Sequence, residues 1–129
     1  MKFKEILNKV ASFQLASSQE VNTSPTLGDL KESVLRFELM EEENYEYLTA
    51  NQDEDLTEAL DACVDMLYVL AGTINKHGFQ DIIAEAFNLV HENNMTKVVD
   101  RKVIRNADGK IMKPEDFQPV NLTNLLKKN

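Results

Sequence analysis

Residues 27–78 read LGDLKESVLRFELMEEENYEYLTANQDEDLTEALDACVDMLYVLAGTINKHG, and this stretch decides the fold. Apolar residues recur at helical spacing on both sides of a short polar break at Asn51-Gln52-Asp53, which predicts two long helices joined by a tight connection. The first runs from about Leu27 to Leu48. The other starts near Asp55, whose Asp-x-x-Glu spacing to Glu58 suits a capping box, and ends at His77-Gly78 with Gly78 just past the last turn. Working outward, Phe3, Ile6, Leu7, Val10 and Phe13 predict an earlier amphipathic helix, and the polar run from Ser17 to Pro25 reads as a loop. Phe79, Ile82, Ile83, Ala86, Phe87 and Val90 share one face of a fourth helix. After Asn94 the helical period stops. Val103-Ile104 and Ile111-Met112 flank Asn106-Ala107-Asp108-Gly109 as a small hairpin, and Leu122, Leu125 and Leu126 suggest a last helical turn. The expected class is all-α: one domain over residues 1–129, an antiparallel four-helix bundle with a short C-terminal hairpin.

Composition narrows the function. In 129 residues, 22 acidic side chains oppose 14 Lys and Arg, a net charge of −8 that argues against a nucleic-acid partner. No stretch approaches the roughly 20 apolar residues of a membrane span, so no membrane partner is expected. The N-terminus lacks the uninterrupted apolar run of about 7–15 residues that a signal peptide needs. A lone Cys63 cannot form an intrachain disulfide, which points to a reducing cytoplasm. The charge is also uneven. From Asp29 to Asp65, 13 acidic residues meet only Lys31 and Arg36, whereas from Lys97 to Lys113 six basic residues meet only Asp100 and Asp108.

On the second helix, Leu30, Val34, Phe37, Met40 and Leu48 form one stripe. Leu35 and Leu39 lie opposite, and their stripe continues as Glu42, Glu43 and Glu46. A helix apolar on two sides is expected to pack on two sides, so these carboxylates should point into the assembly. Glu42 and Glu43 each sit one turn before Glu46, where like charges repel and partial burial raises the cost. On the third helix the only charged residues between Ala59 and Ile74 are Asp61 and Asp65, and Glu58, Asp61 and Asp65 fall within about 60° of one another. Aspartates in an apolar run need a partner, and the first three helices offer few cations for a salt bridge. A hard divalent cation suits oxygen-only ligands: Mg²⁺ is expected, with Mn²⁺ as a substitute.

Glu42-Glu43-Asn44-Tyr45-Glu46 resembles the Glu-Glu-x-x-Glu signature of the MazG-like all-α nucleoside triphosphate pyrophosphohydrolases, and the run from Glu58 through Asp61 and Asp65 to Gly72 is similar to their second acidic helix. His91 to Lys97, then Asp108-Gly109-Lys110 to Lys113-Pro114, resembles a small bacterial and phage branch of the phosphoribosyl-ATP pyrophosphohydrolase-like group. The resemblance implies Mg²⁺-dependent cleavage of a nucleoside triphosphate to monophosphate and pyrophosphate. It implies metal held by Glu42, Glu43, Glu46 and acids of the third helix, with one glutamate as general base. Asn94, Lys97, Lys110 and Lys113 would bind the substrate, and the chain would assemble as a homodimer or homotetramer. In one register of the family's Glu-x-x-Asp motif, Asp65 is the last residue and the Glu position is Ala62; in another, Glu58-x-x-Asp61 fits. The helix-three ligands are therefore drawn from Glu58, Asp61 and Asp65. The alternatives are a phosphoribosyl-ATP pyrophosphohydrolase and a non-catalytic nucleotide-binding bundle.

Other motifs carry less. Asp53-Glu54-Asp55-Leu56-Thr57 matches a haloacid-dehalogenase nucleophile pattern but follows a helix end rather than a strand, and it lacks the glycine of an EF-hand. Neither His77 nor His91 has a Glu three positions earlier, as a di-iron bundle would require. Met66, Tyr68 and Cys63 are expected in the core.

Overall fold

Local chemistry sets each helix end. In the computed structural model, which describes residues 1–127, α1 spans Phe3–Ala16, α2 Leu30–Gln52, α3 Leu56–Lys76 and α4 Ile83–Met95. The strands β1 (Ile104–Arg105) and β2 (Ile111–Met112) and a short α5 (Thr123–Lys127) follow. The second helix starts three residues later than expected because Gly28 takes a left-handed φ of +67° and Asp29 caps the helix, accepting from the Lys31 N–H at 3.2 Å. It also runs past Leu48 to Gln52. Asp55 caps α3 by accepting from the Glu58 N–H at 3.0 Å, and Gly78 (φ +70°) follows the helix end as expected.

The described residues form two units, Met1–Asp81 and the remainder from Ile82. In the first unit α3 packs against both α1 and α2. Leu7 and Val10 of α1 are buried, as are Val69, Ala71 and Ile74 of α3. Polar groups complete this contact. The Gln14 side chain donates to Gly72 O at 2.9 Å, and Asn75 Nδ2 donates to Leu7 O at 2.9 Å and to Gln14 Oε1 at 3.0 Å. The loop before α2 takes up carbonyls that α3 leaves without helical partners. Asn22 donates from its backbone to Asn75 O at 3.0 Å and from its side chain to Lys76 O at 2.6 Å, and the Thr26 N–H donates to His77 O at 3.0 Å. Lys76, fully buried, donates to Leu27 O and to Ser33 Oγ, with Glu20 at 3.7 Å.

The seam between α2 and α3 is polar over most of its length. Ser33 meets Lys76, Arg36 lies against Gly72, and Glu43 and Glu46 meet Asp65. The only residues of α2 that are fully buried are Arg36 and Ala50. Because this polar face takes the seam, the apolar stripe expected to be packed is open: Leu30 is 76% exposed and Phe37 65%. Leu35, on the opposite stripe, is also exposed. Two further expectations are corrected. Cys63 is exposed, and Tyr68 is part-exposed with its ring edge-on to Phe13 at 5.8 Å. Neither is among the buried residues of α3, which include Ala62, Val69 and Ile74.

In the second unit α4 begins at Ile83 and has no fully buried residue, so Phe87, expected on its packed face, is exposed. The hairpin forms as predicted, pairing Ile104 with Met112 and Arg105 with Ile111. Asn106 Oδ1 accepts from the N–H groups of Asp108 and Lys110 at 2.9 Å each, which holds the turn closed. With its amide oriented to donate to Gln118 O (2.8 Å) and accept from the Val120 N–H (3.3 Å), Asn93 ties α4 to the segment after Phe117.

Candidate metal centre

Glu43 and Glu46 stand one turn apart on α2 and face Asp65 of α3. One carboxylate oxygen from each lies within 4.8 Å of the others. Glu43 and Asp65 are half-buried, and Glu43 Oε2 is shielded from solvent with no hydrogen-bond partner. Among the described residues no Lys, Arg or His pairs with these acids. Burial, followed by a side-chain hydrogen bond with Glu46 and the charges of Asp65, Glu46 and Glu42, pushes the Glu43 carboxyl up to about 7. Burial, with the nearby charges of Asp61 and Glu46, raises Asp65 as well, although its hydrogen bond with Glu43 works the other way. Without a cation this centre holds charge at a cost. A buried oxygen lacking a donor, inside an all-oxygen donor set, fits a hard divalent ion.

The three acids line a cleft of about 750 Å³ between α2 and α3. Glu42, Glu58 and Asp61 line it too, so all six acids expected at the site are gathered there. Their positions differ. Asp61 is exposed and acts on Asp65 through charge and a hydrogen bond. The capping box expected at Glu58 is formed from one side: Asp55 accepts from the Glu58 N–H, while the Asp55 N–H donates to Ala50 O at 2.9 Å. Glu58 is thereby spared a capping duty. Ala62, where one register of the motif puts a glutamate, is 2% exposed at the cleft. A longer side chain there would have to enter the seam beside Ala50, which is equally buried.

Sequence reasoning missed Tyr45, Thr49, Asp53 and Asp55 as cleft residues. The signal for the two aspartates is the acidic run itself, in which Asp53 falls in the connection and Asp55 caps α3. Tyr45 is the only aromatic residue lining the cleft and is 67% exposed. The remaining expected residues, Asn94, Lys97, Lys110 and Lys113, belong to the second unit. Asn94 is exposed in the last turn of α4, and Lys97 and Lys113 approach the ring of Phe117.

The family model described as phosphoribosyl-ATP pyrophosphohydrolase matches residues 10–94, a span that contains α2, α3 and every residue of the acidic cleft. It stops before Lys97 and the hairpin. No curated protein matches the chain. Among the described residues no helix is long and apolar enough to cross a membrane.

Proposed function

The chain belongs to the phosphoribosyl-ATP pyrophosphohydrolase family, and from that premise we propose that it hydrolyses a nucleoside triphosphate to the monophosphate and pyrophosphate with Mg²⁺ as cofactor. The observation that carries this reading is the Glu43–Glu46–Asp65 cluster, with its unpartnered buried Glu43 oxygen. These three residues would hold the cation, with Glu42, Asp61 and Glu58 available around them. When bound, the ion would supply positive charge for phosphate oxygens and a bound water of lowered pKa. An acidic cleft otherwise repels a polyphosphate, so cation binding and substrate binding are one requirement. Glu42 or Glu43 would act as general base. Asn94 would hydrogen-bond base or sugar, and Lys97, Lys110 and Lys113 would contact phosphates. The exposed apolar face of α2 supports assembly as a homodimer or homotetramer.

A second reading is favoured by the family description itself: phosphoribosyl-ATP as substrate, cleaved at the same anhydride bond. Product analysis over a panel of nucleoside triphosphates and phosphoribosyl-ATP, with Mg²⁺, decides between them. We expect pyrophosphate and monophosphate from at least one triphosphate. Activity confined to phosphoribosyl-ATP establishes the second reading, and orthophosphate release or no turnover of any nucleotide overturns both. In the same assay Asp65→Asn should cost more activity than Glu58→Gln. The reverse order would make the Glu58-x-x-Asp61 register the working one.

A further inference from the structure

One row of α2 lines the acidic cleft without belonging to the Glu43–Glu46–Asp65 cluster. Tyr45, Thr49 and Asp53 follow one another at four-residue intervals, and all three line the cleft. The Asp53 N–H donates to Thr49 O at 2.9 Å, so the helical path holds as far as Asp53. Four residues advance about 6 Å along a helix and drift only about 40° around it, so the three positions make a row about 12 Å long.

None of the three side chains is engaged. Among the described residues the Tyr45 ring meets no other ring, and the Tyr45 hydroxyl, the Thr49 hydroxyl and the Asp53 carboxylate have no hydrogen bond or ion pair. Other helical hydroxyls turn back on their own helix, Ser33 to Asp29 O at 3.4 Å and Thr73 to Val69 O at 2.9 Å. Asp55, the next acid along the cleft, is occupied in capping α3 at Glu58. Among the described residues no amide, Lys, Arg or His lines this cleft. Beyond the two hydroxyls its polar side chains are all carboxyl groups, and an ionised carboxylate only accepts hydrogen bonds.

We propose that Tyr45, Thr49 and Asp53 form a nucleoside-binding row that selects a base carrying an exocyclic amino group. The Tyr45 ring stacks on the base, the Thr49 hydroxyl bonds to its edge, and the Asp53 carboxylate accepts from the amino group. A base with oxygen in place of that amino group, as in uracil, turns an acceptor toward a carboxylate and is disfavoured. Tyr45 directly precedes Glu46, so base and phosphates would lie on neighbouring faces of one helix. The row deepens the proposed function, and rests on it for the phosphates, by naming the part of the substrate that is selected. Recognition of the base itself requires neither metal nor turnover.

The test uses the full chain in EDTA with unphosphorylated adenosine, cytidine and uridine, followed by NMR of the tyrosine rings and of the nucleoside protons. Adenosine and cytidine should shift the Tyr45 ring resonances, and uridine should bind about tenfold or more weakly. Tyr45→Leu should weaken binding about fivefold or more, whereas Tyr45→Phe, which keeps the ring, should retain it. Asp53→Asn presents a donor as well as an acceptor, so it should remove most of the difference between cytidine and uridine. With Mg²⁺ the same order should appear in kcat/KM, CTP above UTP. Uridine bound as well as cytidine, or no nucleoside shifting Tyr45, overturns the proposal. A Tyr45→Leu chain that keeps nucleoside binding but sediments as a smaller species also overturns it, and assigns Tyr45 to the contact between copies. A chain that takes cytidine at Tyr45 yet hydrolyses no nucleotide would overturn the proposed function and leave this row standing. Hydrolysis of CTP and UTP at equal kcat/KM would do the reverse.

Discussion

Glu43 is the residue on which the centre turns. Its ordinary value is 4.5 and its folded-state value about 7, so the unfolded chain ionises first as pH rises. Glu43 therefore contributes stability that is full below about pH 4.5 and is lost as pH climbs through about 7. Asp65, raised in the same direction, adds to the loss. Glu43→Gln keeps the shape and removes the charge. In EDTA its melting temperature should fall less than the wild type's between pH 5 and pH 7.5 and should be higher at pH 7.5. The wild type should gain stability from Mg²⁺, about 2.7 kcal/mol at 100 times Kd, and the variant far less. Activity should fall at least about 100-fold, since even residues behind a metal ligand cost 10–100-fold. A metal-free Glu43→Gln protein that melts lower than wild type at pH 7.5 would mean that Glu43 is held by a cation of the protein. Much of this site was legible in the sequence, because Glu42, Glu43 and Glu46 share a face at fixed spacing. The choice of Asp65 on α3 was less so. It depends on Ala62 and Ala50 being buried beside the cleft, a matter of how two helices approach, which spacing within one helix does not encode.

At the scale of elements, the α2–α3 seam rests on a glycine and an arginine. A Cβ on Gly72 would stand 2.9 Å from one terminal nitrogen of Arg36 and 3.1 Å from the other. Arg36 is 8% exposed, its Nε has no partner, and Nη1 donates to Gln19 Oε1 at 3.2 Å. Burial lowers its pKa, against the opposing charge of Glu32. Gly72→Ala would gain about 1 kcal/mol of helix propensity but overpack a buried side chain, at about 1–3 kcal/mol. A net loss of up to about 2 kcal/mol is expected from the urea midpoint. In an Arg36→Met background the same substitution should be neutral or stabilising. A raised midpoint in the wild-type background would show that the guanidinium moves aside freely. The sequence marks Gly72 only as a poor helix residue, and its purpose is visible once Arg36 is placed opposite it. The helix ends were easier to read: Asp55 and Gly78 cap and stop α3 by local chemistry. The start of α2 lies later than its apolar spacing suggests because Gly28 turns the chain and Asp29 caps the helix.

Across the whole molecule, the two-sided apolar pattern of α2 was legible, but what it packs against was not. The polar residues Ser33, Arg36, Glu43 and Glu46 claim the inner seam, which leaves Leu30, Val34, Phe37 and Leu48 exposed. An exposed apolar face of this kind is what the proposed assembly would cover with a second copy of the chain. Sedimentation should therefore give a dimer or tetramer, and Phe37→Glu should shift it toward single chains while the helical circular dichroism is kept. A wild-type chain that sediments alone at tens of micromolar would overturn the assembly.

The bonds from Gln14 to Gly72 and from Asn75 to Leu7 join residues 58 and 68 positions apart. On a ribosome, α1 is made well before α3, the helix it packs against. At about 5–20 residues per second, Leu7 and Gln14 wait roughly 3 to 14 s for their α3 partners to be synthesised. For that interval the nascent chain carries an unsheltered amphipathic helix. A binder of exposed apolar segments added during translation should capture α1 before the α3 residues have left the exit tunnel, and release it after.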